Sequence, residues 1–104
     1  GKERVLGKTH PDTLETINNM AITYQLGLKD FTKAERMYRQ ALDGYEKSLG
    51  KDHNHTKMCA MNLAILLFQD LEDKSKTRQL VKEFPHLLEE GRGRLGDHLR
   101  NFIR

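Results

Sequence analysis

A single cysteine, Cys59, stands in the 104 residues, which excludes an intrachain disulfide framework and fits a reducing compartment. Cytoplasm is therefore the expected location. No apolar run approaches the ~20 residues needed to cross a bilayer, so no membrane span is expected. The chain does not open on methionine, so the lack of a leader says nothing about the targeting of a longer protein. Catalytic signatures are absent too: there is no nucleophile motif and no spaced carboxylate pair. Gly91-Arg-Gly-Arg-Leu-Gly96 comes nearest to a phosphate loop, but it lacks the preceding strand and the Lys-Ser/Thr that such a loop requires. It reads as a connector, and neither an enzyme nor a cofactor is expected. His53, His55 and Cys59 are close in sequence, yet zinc takes four ligands and no second cluster follows, so no metal site is expected.

Charge of one sign is scarce in most of the chain. Residues 1–75 carry 11 basic and 11 acidic side chains and residues 76–104 carry 7 and 4, so the whole net charge of +3 lies in the tail. Arg92, Arg94, Arg100 and Arg104 have a single aromatic, Phe102, among them, too little stacking surface to favour nucleic acid as a partner.

What is present is a repeat. Sliding the sequence by 43 residues places Leu6, Gly7, Lys8, His10, Thr13, Asn19, Ala21, Ile22, Leu28, Asp30 and Lys33 on identical residues, ending at Lys76. A period of this length marks a stacked array, in which each unit buries its apolar face against its neighbours. Roughly three units are usually needed for stability, so the chain reads as an excerpt. The expected division is the end of a preceding repeat at 1–7, repeat one at 8–50, repeat two at 51–91, and a partial third repeat or capping helix at 94–104. Apolar surface at the cut array ends is expected to drive self-association.

Within each unit the spacing predicts two helices. The first should start at His10 or Pro11, because proline suits the first helical turn, and Ile17, Met20, Ala21, Tyr24 and Leu28 recur at helical spacing. Gly27 and Lys29-Asp30 form a short connection. The second helix runs from about Phe31 to Ser48, with Phe31, Ala34, Met37, Tyr38, Ala41, Leu42 and Tyr45 on its apolar stripe. Glu35, Arg39, Asp43 and Lys47 form its solvated face, and Gly44 is expected to weaken it. Gly50 supplies a left-handed C-cap. The second copy repeats the plan with Ala60, Leu63, Ala64, Leu67 and Leu71 inward, then Leu80, Val81, Phe84, Leu87 and Leu88, with a kink or an end at Phe84 imposed by Pro85.

Asn-Asn-Met-Ala-x-x-Tyr24, followed by Ala34, Tyr38 and Ala41, resembles the tetratricopeptide repeat. The Leu-Gly-x-x-His-Pro-x-Thr joint is similar to that of the longer-period subtype found in kinesin light chain and in arrays attached to nucleotide-binding signalling ATPases. The second copy departs from the pattern at Leu67, Thr77 and Phe84, and the first has one residue more than usual between Tyr24 and Ala34. The resemblance implies an all-α fold, antiparallel helix hairpins stacked as a right-handed α-solenoid, with the first helices lining a concave groove that holds a protein or peptide. The helical wheel leaves Glu15, Asn18, Asn19, Ile22, Gln25 and Leu26 on one stripe of the first copy, and Met58, Met61, Asn62, Ile65, Phe68 and Gln69 on that of the second. The groove residues are expected to be Asn18, Asn19, Ile22, Gln25, Asn62, Ile65, Phe68 and Gln69. Asn19 and Asn62 share one repeat position and would bond a peptide backbone; bonding a neighbouring helix or loop is the competing role. The stripe carries no basic residue, which disfavours capture of a C-terminal carboxylate. An adaptor or scaffold role follows from the resemblance, and a sensor or oligomerisation segment of a larger ATPase is the alternative.

Overall fold

The computed structural model describes residues 10–85 and 87. The expectations for residues 1–7, for Leu88 and for everything from Gly91 onward lie outside them. Among the described residues every regular element is helical: α1 Pro11–Ile22, α2 Phe31–Leu49, α3 Asn54–Ile65 and α4 Lys74–Glu83. α1 and α3 each run on into one wide π turn, Thr23–Gly27 and Leu66–Asp70. These make two helix hairpins, and α2 packs against both α1 and α3.

The period of the sequence persists down to single atoms. His10 and His53 cap α1 and α3 alike, each ring Nδ1 accepting from the amide two residues on, at 3.1 Å in both copies. Asp30 and Asp73 cap α2 and α4, accepting from the amides of Lys33 at 3.2 Å and Lys76 at 3.0 Å. Such side chains satisfy amides that the first helical turn leaves without partners. The extra residue before Ala34 is absorbed in the wide turns. The amides of Leu28 and Leu71 reach back five residues, to Thr23 O at 3.1 Å and Leu66 O at 2.9 Å, so the insertion widens the helix without interrupting it. Asp30 and Asp73 then close each turn by bonding six residues back, to Tyr24 O at 2.8 Å and Leu67 O at 2.9 Å. This closure puts the residue between in the left-handed region, and that residue is Lys29 (φ 58°) or Glu72 (φ 50°), not Gly27.

The core is formed by Leu14 and Ala21 of α1, Ala34, Tyr38, Ala41 and Tyr45 of α2, Leu63 and Ala64 of α3, and Leu80 and Val81 of α4, closed by Phe84 and Leu87. α4 ends at Glu83, ahead of Pro85, as the spacing predicts. The buried stripe of α1 differs from the expected one. It is Leu14, Asn18, Ala21 and Gln25, spaced by four, three and four, while Met20 is 41% and Leu28 65% exposed. Two of the four positions are polar, which hides the stripe from a hydrophobicity count. α3 is flanked by both α2 and α4, so Leu63 and Leu66 are buried where their counterparts in α1, Met20 and Thr23, are exposed.

Three further expectations change. Gly50 does have positive φ (91°), but its ψ of 162° is extended instead of helical, a region kept almost entirely for glycine. Gly44 is a close-contact point and not a weak spot, since Leu14 packs over its Cα. Glu35 is not part of a solvated face: its side chain is 12% exposed, and it accepts from Arg39 at 2.8 Å and from Lys76 of α4 at 3.2 Å. Burial pushes the Glu35 pKa up, but the hydrogen bonds and charges of Arg39 and Lys76 outweigh it and hold the carboxyl below its ordinary value of 4.5. A carboxylate with a depressed folded pKa stabilises the fold above its unfolded pKa and loses that contribution as pH falls through the folded one. The stability difference between wild type and Glu35→Gln, measured by urea denaturation, should therefore be constant near neutrality and shrink below about pH 4.5. A difference independent of pH down to the acid limit would mean that the bridge contributes nothing.

Candidate functional site

A cleft with mainly apolar walls lies among the described residues. It measures about 230 Å³ and lies between the first helices of the two hairpins, lined by Ile22, Gln25, Leu26, Tyr38, Asn62 and Ile65. Ile22 and Leu26 are one helical turn apart and so share a side of the first hairpin. Asn62 and Ile65 hold the equivalent side of α3. Ile22 and Ile65 are both only partly buried, and Ile22 packs on the core beneath, so each keeps apolar surface toward solvent.

The floor is polar and tightly bonded. Tyr38 donates its hydroxyl to Gln25 Oε1 at 2.8 Å, and Gln25 Nε2 donates to Asp70 Oδ2 at 2.7 Å. The chain runs from α2 through the wide turn of the first hairpin to that of the second. Gln25 is 6% exposed, so each half of its amide needs the partner it has. Burial, with lesser contributions from Cys59 and Asp70, pushes the Tyr38 phenol up to about 12. Its hydroxyl thus remains a donor across the ordinary pH range.

Of the eight residues expected to form a groove, four meet in this cleft: Ile22, Gln25, Asn62 and Ile65. Asn19 is exposed on α1 one turn before the cleft, and Gln69 is exposed beyond it. Phe68 is half-buried against the core. Asn18 is 5% exposed, and its Oδ1 has no partner among the described residues. Sequence reasoning missed Tyr38, assigned wholly to the core, and Asp70. The signal for Asp70 was present: a carboxylate stands where the first copy has Gly27.

The histidine and cysteine cluster does other work. His53 caps α3, the His55 ring lies 5.7 Å from that of Tyr45, and Cys59 is buried with its thiol donating to Tyr38 O at 3.5 Å. Burial pushes the thiol up to about 12, far from the thiolate that a nucleophile or soft ligand requires. Among the described residues no three His, Cys, Asp or Glu side chains are grouped to hold a metal ion, and no helix is long and apolar enough to cross a membrane.

Residues 13–55 match the tetratricopeptide repeat family. The matched span is one full period, from the first turn of α1 to the first turn of α3. No curated protein matches the chain significantly. Tetratricopeptide repeats in general are protein–protein interaction modules and are typically non-enzymatic.

Proposed function

We propose that the chain is a non-enzymatic protein-interaction module that holds a peptide or protein segment in the cleft between Ile22 and Leu26 on one side and Asn62 and Ile65 on the other. The observation that carries the proposal is this convergence of apolar walls and an asparagine amide over a floor in which the Tyr38 hydroxyl and the Gln25 amide are already paired. Exposed apolar surface in a concave site favours a ligand with an apolar side chain. The Asn62 amide, with one donor side and one acceptor side, suits an extended backbone and makes the hold tolerant of sequence. In this reading the hairpins stack in a right-handed α-solenoid with joints like those of kinesin light chain. The chain then serves as an adaptor or scaffold in the cytoplasm.

The test is the double substitution Asn19→Ala with Asn62→Ala, challenged with peptides selected from a random 12-residue library on the wild-type chain. Affinity is expected to drop by at least tenfold, about 1.4 kcal/mol, with the circular dichroism spectrum unchanged. Unchanged affinity in a folded double variant removes the asparagines from recognition.

A further inference from the structure

Asp70 stands one hydrogen bond from the cleft, and its position says more about the ligand than the apolar walls do. Gln25 lines the cleft and donates to Asp70 Oδ2 at 2.7 Å. That donor is neutral, and none of the ion pairs among the described residues involves Asp70. Glu35 shows how the same fold treats a largely buried carboxylate elsewhere, with Arg39 and Lys76 both set against it. Asp70, also partly buried, has no such cation among the described residues.

The helices around it are biased the same way. Four Lys or Arg residues lie on α2 and four on α4, but α1 with its wide turn has none and α3 with its wide turn has Lys57 alone. Asp12 and Glu15, both exposed, add negative charge to α1. A ligand lying along the first helices therefore meets carboxylates, and one that covers Asp70 strips its water without supplying a counter-ion unless the ligand carries one. Burying an unpaired charge is costly, whereas a cation placed there gains a charge-assisted hydrogen bond.

Resting on the peptide-binding reading above, we infer that the cleft selects segments in which an apolar side chain is flanked by a lysine or arginine, the apolar group seated between Ile22 and Ile65 and the cation on Asp70. Acidic segments are rejected at the same position. A guanidinium suits it best, because it can engage the carboxylate oxygen that Gln25 leaves open while its flat face covers apolar surface.

The same random 12-residue library, displayed and selected in parallel on wild type, Asp70→Asn and Ile65→Asp, tests this. Wild type is expected to enrich peptides with Leu, Ile, Met or Phe next to Arg or Lys. Asp70→Asn keeps an acceptor for Gln25 and so preserves the fold; it should still enrich the apolar residue but lose the basic one. A synthetic wild-type-selected peptide should bind it about tenfold more weakly, the size of one charge-assisted bond, while its Arg→Gln analogue should bind both proteins equally. Enrichment that Ile65→Asp abolishes, but with neutral or acidic flanking residues, overturns this inference and leaves the cleft as the binding site. Enrichment that Ile65→Asp leaves intact overturns both.

Discussion

Gly44→Ala should destabilise the protein by about 1–3 kcal/mol, although alanine in a helix interior ordinarily stabilises by about 1 kcal/mol over glycine. The reason lies across the hairpin. A methyl group at position 44 would overlap the end of the Leu14 side chain, meeting Cδ2 and lying 3.1 Å from Cδ1 and 3.3 Å from Cγ. Leu14 is fully buried, so its isobutyl group has no solvent to retreat into, and α1 must move away from α2. The change should appear as a lowered urea midpoint with an unchanged slope. In a Leu14→Ala background the overlap is gone, and the same Gly44→Ala change should become neutral or stabilising. A wild-type background in which Gly44→Ala raises the midpoint would remove the close contact from the account.

Gln25→Leu should cost about 2–4 kcal/mol, because a buried donor stripped of its acceptor costs about 1–3 kcal/mol and Asp70 loses its only donor among the described residues as well. The Tyr38 hydroxyl would be left in the core with nothing to bond. The informative control is Tyr38→Phe. Removing both partners of a buried hydrogen bond is far cheaper than removing one, so Gln25→Leu with Tyr38→Phe should be more stable than the sum of the single changes implies. A double-mutant cycle with no coupling would show that the hydroxyl and the amide do not depend on one another. This chain joins α2 to both wide turns, so its loss should also loosen the cleft, seen as faster amide exchange at Leu28 and Leu71.

The hairpins were legible in the sequence because the residues that bound them act locally. Pro11 and Pro85 impose their conformation through their own rings, whatever surrounds them, and Gly50 takes its positive φ because it lacks a side chain, though not with the helical ψ expected of it. The inward face of α3 was legible too, since Ala60, Leu63, Ala64 and Leu67 are all apolar. The stripe of α1 was not. Asn18 and Gln25 occupy buried positions, and what makes Gln25 acceptable there is Tyr38, 13 residues away, and Asp70, 45 residues away. Pairings over such distances leave no periodic trace. Gly44 misled for a related reason: its helix propensity is a local quantity, while its role is set by Leu14 on another helix. Within the cleft, the apolar walls followed from the wheel, but the acidic lip required knowing that the second wide turn faces the first.

The wide turns leave slack in the chain. A residue can be added or removed there by exchanging five-residue hydrogen bonds for four-residue ones, and the peptide groups remain paired either way. Deleting Leu26 and Gln69 together should thus shorten the period to 42 while sparing the caps at Asp30 and Asp73. In such a chain the length of a unit is free to drift by single residues without a break in its helices, and the cost of each step falls on the cleft beside the turn.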